Sequence, residues 1–181
     1  MADQLALDLV GQRLMTDQLT LTVGYDIENL RDPERRKRYR GEVTTDRYGR
    51  QIPKHAHGTA NLEEYTASSK RITSVALELF DRVVDKNLLI RRMYLTANRV
   101  TGEEDVPQEF VMEQLDLFTD FEAARAKKEA EAAELAREKK LQEAMLSIKQ
   151  KYGKNAILKG TNLVDGATAA ERNGRIGGHR A

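Results

Sequence analysis

The 181-residue sequence has no cysteine and no tryptophan. The first absence excludes disulfides, thiolate metal sites and a cysteine nucleophile. Aromatic residues make up only 6% and mean hydropathy is −0.63. That is too little apolar material for a single core to run the whole length, and it suits a small domain joined to a solvated helix or tail. No apolar run reaches the length of a membrane span. Residues 1–10 lack a basic segment ahead of a continuous apolar one, so they do not read as a secretory signal. The expected compartment is the cytoplasm, with no membrane partner.

Net charge is also scarce, at +1, but this total conceals segregation. Arg31 to Lys54 holds nine basic residues against four acidic ones. Between Arg99 and Arg125 there are eight acids and no base. From Ser147 onward seven bases face two acids. The plain reading is three solvated surfaces that alternate; the pointed one is a basic front, an acidic hinge and a basic tail with separate tasks.

Hydrophobic periodicity predicts a helix over residues 2–15, with Leu5, Leu7, Leu9, Val10, Leu14 and Met15 on one broad face. Residues 18–26 alternate as a strand, with Leu19, Leu21, Val23 and Tyr25 on one side. A long polar and basic loop from Glu28 to Lys54 follows, functional or mobile by its length. His55 to Tyr65 reads as a second strand. Ser68 or Ser69 caps a helix to about Val84, whose apolar stripe is Ile72, Val75, Ala76, Leu79, Phe80 and Val83. Leu88 to Val100 reads as a third strand. The predicted class is α+β, an antiparallel sheet with two helices on one face. Residues 122–152, rich in Ala, Glu, Lys and Leu without Pro or Gly, predict a long helix stopped by Gly153, with a seam of Leu141, Met145, Ile148 and Tyr152. The Gly- and Asn-rich remainder reads as a flexible basic tail.

Three stretches carry a resemblance. They are DRYGRQIPKHAHGTANL over 46–62, ALELFDR and IRRMYL over 76–82 and 90–95, and KYGKNA with RNGRIGGH over 151–156 and 172–179. In this order they resemble the C-terminal portion of a Y-family, UmuC/DinB-like translesion DNA polymerase of the Gram-positive type, over nearly the whole chain. The resemblance implies a little finger domain over 1–103, lacking its first strand. An acidic linker over 104–121, the helix over 122–153 and the tail over 154–181 follow. It also implies a role in DNA repair and the SOS response. The family keeps its metal-binding carboxylates and Mg in a palm for which this sequence has no motif. The chain is therefore expected to be a fragment with no cofactor and no catalysis of its own, and the remaining polymerase portion is one expected partner.

Gln114-Leu115-Asp116-Leu117-Phe118 is similar to the peptide by which bacterial polymerases attach to the sliding clamp. An extended segment can place Leu117 and Phe118 in an apolar groove, Leu115 in a smaller pocket and the Gln114 amide at the rim. Burial of the two large side chains supplies roughly 1.5–3 kcal/mol each before ordering costs. The competing reading is that Phe110, Leu115, Leu117, Phe118 and Phe121 cap the core. For DNA, the resemblance implies phosphate contacts along the sheet. Expected contacts are Lys54, His57, Gly58 and Thr59 on the second strand, Arg91 and Arg92 on the third, and Arg47 and Arg50 in the basic loop. Only one of Arg91 and Arg92 can face DNA, since neighbours on a strand point opposite ways. Gly58 is expected to let a phosphate approach the backbone. His55 and His57 have no third ligand nearby, so no metal site is expected. Two other functions stay open: a stand-alone nucleic-acid-binding or clamp-competing regulatory module, and a structural adaptor acting through the long helix.

Overall fold

A computed structural model describes residues 1–107, 121–176 and 179–180. The clamp-like peptide, Gln114 to Phe118, lies outside the described residues, as does the Gly177-Gly178 pair.

Helix α1 (Ala2–Gly11) buries Ala6, Leu7 and Leu9. It is shorter than its apolar pattern suggests because Arg13 takes a left-handed backbone (φ 55°), which ends a helix. Leu14 and Met15 therefore pass to strand β1 (Leu14–Tyr25). In β1, Leu19, Leu21, Val23 and Tyr25 are buried, while Gln18, Thr20 and Thr22 lie on the other side.

The stretch expected to be one long loop is instead built from short pieces. Helices α2 (Glu28–Arg31) and α3 (Pro33–Arg38) come first, then a hairpin of β2 (Val43–Thr45) and β3 (Gln51–Pro53). Asp32 starts α3 by accepting from the backbone N–H of Glu34 and Arg35, with Pro33 in the first turn. Fully buried Asn29 ties this arm to the domain. Its Nδ2 donates to the carbonyls of Asp26 and Leu89, both at 2.9 Å, and its Oδ1 accepts from the Leu89 N–H at 2.9 Å. A buried amide so placed satisfies backbone groups that no ladder reaches.

Strand β4 (Ala56–Thr66), helix α4 (Ser69–Val83) and strand β5 (Ile90–Asn98) follow. The Ser68 side chain caps α4 by accepting from the Arg71 N–H. The sheet order is β4-β1-β5, antiparallel throughout, and β6 (Thr101–Gly102) pairs with the start of β1. Helices α1 and α4 cover one face. Leu19, Leu21 and Val23 meet Ile72 and Leu79 of α4 and Ala6 and Leu9 of α1 in one cluster.

Helix α5 (Phe121–Tyr152) folds back over the ends of α1 and α4. Of the predicted seam it presents only Met145, since Leu141, Ile148 and Tyr152 are 61%, 37% and 67% exposed. Leu135, Glu138, Gln142 and Leu146 turn inward with Met145. Glu138 accepts from the Ser68 hydroxyl at 2.7 Å and the Lys70 N–H at 3.0 Å, adding an outside carboxylate to the start of α4. Gln142, 5% exposed, donates to the Ala67 carbonyl at 3.0 Å. Lys139 pairs with Glu103, and Lys70 with Glu134.

Beyond Gly153 lie a short 3₁₀ turn (Gly160–Asn162), helix α6 (Ala169–Asn173) and a strand pair, β7 (Arg175–Ile176) with β8 (His179–Arg180). Lys159 pins this end to Asp3 of α1, where Ser69 also donates. Burial pushes the Asp3 carboxyl up, but the Lys159 and Ser69 hydrogen bonds outweigh it and hold it below its ordinary value. No helix among the described residues is long and apolar enough to cross a membrane.

Candidate nucleic-acid interface

The strand period that buries Leu19, Leu21 and Val23 turns every second residue outward. Register then assembles three rows across the uncovered face. His57, Thr22 and Tyr94 form one, Thr59, Thr20 and Thr96 the next, and Asn61, Gln18 and Asn98 the third. Within them the Thr20 and Thr59 hydroxyls are 3.0 Å apart, and Thr22 Oγ1 is 3.0 Å from His57 Nδ1. Gln18 donates to Asn61 at 2.9 Å, and Asn98 donates to Thr20 at 2.6 Å. The three rows contain no carboxylate.

Cations stand around these rows. Arg92 lies on the open face beside Tyr94, its guanidinium 5.9 Å from the ring centre. The Arg92 side chain runs across Gly24, its Cγ and Nε 3.1 Å from where a β-carbon there would stand. Arg82 reaches from α4 to donate to the Thr59 carbonyl at 2.7 Å, and Arg99 donates to Asn61 at 2.8 Å while its Nε pairs with Asp17 Oδ1 at 2.8 Å. Neither was foreseen. Arg82 reads as an ordinary polar position of an amphipathic helix until the pairing of α4 with β4 is known. Arg99 sits in a strand break with φ 46°, which no sequence pattern marks.

The expected contact residues divide. His57, Thr59 and Arg92 share the open face. Arg91 is exposed and falls at the register shift between Gly24 and Tyr25, where strand alternation breaks. Lys54 precedes β4 instead of lying in it, and its Nζ is 2.6 Å from Glu42 Oε2. Arg47 and Arg50 stand on the β2–β3 turn, outside the three rows. Arg50 makes two bonds to Asp46 Oδ2, at 2.9 and 2.6 Å. Gly58 departs from its expected role. A β-carbon there would come 2.6 Å from Val83 Cγ1 of α4. The missing side chain lets helix and sheet close together on the covered side, so it opens no approach for a phosphate. The His55 and His57 rings meet edge-on with centres 6.4 Å apart, and no group of three metal-ligating side chains converges among the described residues.

A surface of hydroxyls and amides bordered by guanidinium groups suits a polyanion gripped through its backbone. Hydroxyls and amides donate to phosphate oxygens, and the rim supplies the charge. No curated protein and no solved structure matches the chain. A family model does, the impB/mucB/samB family C-terminal domain, over residues 1–117. The chain therefore belongs to the impB/mucB/samB family, and the sandwich with the open face is the C-terminal domain of a UmuC-like, Y-family polymerase.

Proposed function

We propose that this chain is a non-catalytic DNA-holding and clamp-tethering portion of a UmuC-like polymerase of the Gram-positive type, acting in translesion synthesis within the SOS response. The observation that carries the reading is the open face, three rows without a carboxylate, edged by Arg82 and Arg92 and by Arg99 with its partner Asp17. Duplex DNA lies along these rows and is held by its phosphates, with little regard to sequence. Gln114, Leu115, Asp116, Leu117 and Phe118 attach the chain to the sliding clamp. It works in the cytoplasm without a cofactor of its own; Mg serves the catalytic portion of the polymerase. An adaptor role finds support only in the exposure of Leu141, Ile148 and Tyr152 on α5.

A titration of duplex DNA at several salt concentrations tests the reading. Affinity is expected to fall steeply and linearly on logarithmic axes, with a slope of about −0.9 per phosphate engaged, and Arg92→Ala should lower that slope by about one. A flat salt response would overturn it. Calorimetry with the clamp tests the tether: Leu117→Ala with Phe118→Ala should abolish the heat of binding, and unchanged affinity would sink that assignment.

A further inference from the structure

The β2–β3 hairpin carries a feature that holding a duplex by its phosphates does not use. Tyr48 at its tip is 66% exposed. The ring is not loose. Asp46 Oδ1 accepts from the N–H groups of Tyr48 and Arg50 at 2.9 and 3.0 Å, and Asp46 Oδ2 holds the Arg50 guanidinium. The Gly49 N–H closes on the Asp46 carbonyl at 3.0 Å, with Gly49 at φ 76°, a turn conformation that favours glycine. Two cations flank the ring, Arg47 at 4.7 Å and Arg50 at 5.0 Å from its centre, and Arg47 also donates to the Tyr48 hydroxyl at 2.5 Å.

An aromatic held out into solvent by a braced turn contributes nothing to the core. A protein partner that covered the ring with apolar groups would desolvate the Arg47 guanidinium, which, unlike Arg50 with Asp46, has no carboxylate beside it in the described contacts. A nucleotide meets both demands at once, with its base on the ring and its phosphate at Arg47. The base must be unpaired, because inside a duplex both faces of a base are already stacked. The position agrees. Only Lys54 and His55 separate the hairpin from β4, whose first outward residue, His57, begins the end row of the open face.

We infer that the Tyr48 tip is a stacking platform for an unpaired base of a DNA strand that runs off the end of the sheet. The inference rests on the DNA-binding reading and adds to it a preference for duplex with a single-stranded extension. The test compares a blunt duplex with the same duplex bearing a single-stranded overhang that contains 2-aminopurine. Binding is followed by anisotropy and stacking by quenching of the 2-aminopurine. The chain is expected to bind the overhang substrate more tightly and quench its fluorophore. Tyr48→Ala should remove both effects, a loss of about tenfold for one base on one ring, while blunt-duplex affinity stays as it was. Tyr48→Phe should keep both effects. Equal affinity for the two substrates, or an overhang preference that survives Tyr48→Ala, would overturn the inference while leaving the DNA reading in place. Absence of binding to either substrate would overturn both.

Discussion

Gly58 and Asp46 show how much one position decides. Val83 fills the space where a Gly58 side chain would stand, and valine has little rotamer freedom with which to yield. Gly58→Ala should cost about 1–3 kcal/mol of folding stability by overpacking, read as a shift in the urea midpoint. Val83→Ala in the same chain should restore part of it. A loss of DNA affinity with the midpoint unmoved would return Gly58 to the interface. Asp46 is held at about 2, below its ordinary 3.8, first by the Arg50 side chain and then by the backbone N–H groups of Arg50 and Tyr48. Since the folded value is the lower one, the support Asp46 gives the tip is fully present above about pH 3.8 and disappears as pH falls through about 2. An NMR titration of its carboxyl carbon should therefore show a midpoint near 2, and a midpoint at the ordinary value would mean the Arg50 clasp does not form in solution.

Among the elements, those with a clean apolar period were legible. The stripe through Ile72, Val75, Leu79 and Val83 gave α4, and the alternation of Leu19, Leu21 and Val23 gave β1. The fold class follows from these two and the strands beside them. The arm between Glu28 and Lys54 was not legible, because its pieces are held by caps and turns instead of a periodic face. Asp32 before Pro33 and Asp46 before Gly49 are its only marks. The candidate interface was half legible: Thr59 and Arg92 follow from strand parity, but Arg82 and Arg99 depend on pairings that sequence does not state. The docking face of α5 was hidden for another reason. Glu138 and Gln142 are polar, and a hydrophobic pattern search passes over a contact made by hydrogen bonds. Glu138→Ala removes an outside carboxylate from the start of α4 and should cost about 1 kcal/mol. Hydrogen exchange should then quicken at the N–H groups of Ser69 to Arg71 and along α5 near residue 138. Unchanged exchange at both places would show that the apolar contacts of Leu135 and Leu146 hold the helix alone.

For the molecule as a whole, the near-zero net charge is a poor guide, since its two kinds of contact answer to salt differently. The core of Leu19, Leu21, Ile72 and Leu79 is apolar, whereas the proposed DNA holding and the Lys70–Glu134 and Lys139–Glu103 pairs are electrostatic and screened over about 8–10 Å at moderate salt. Raising sodium chloride should release DNA and loosen α5 while the urea midpoint hardly moves. A midpoint that fell together with DNA affinity would mean that the surface charges also hold the fold.

The fastening of α5 has a mechanical consequence. From Glu134 to Gln142 the helix is tied to the sandwich at Lys70, Ser68, Glu103 and the Ala67 carbonyl. In the chain, residues 108–120 join Pro107 to Phe121, where α5 begins. On the proposed tether, a clamp that grips Leu117 and Phe118 pulls on a chain that runs into α5, which Glu138 and Gln142 fasten to the back of the sandwich. On that reading the load enters through the helices, behind the sheet, and not through the face proposed for DNA.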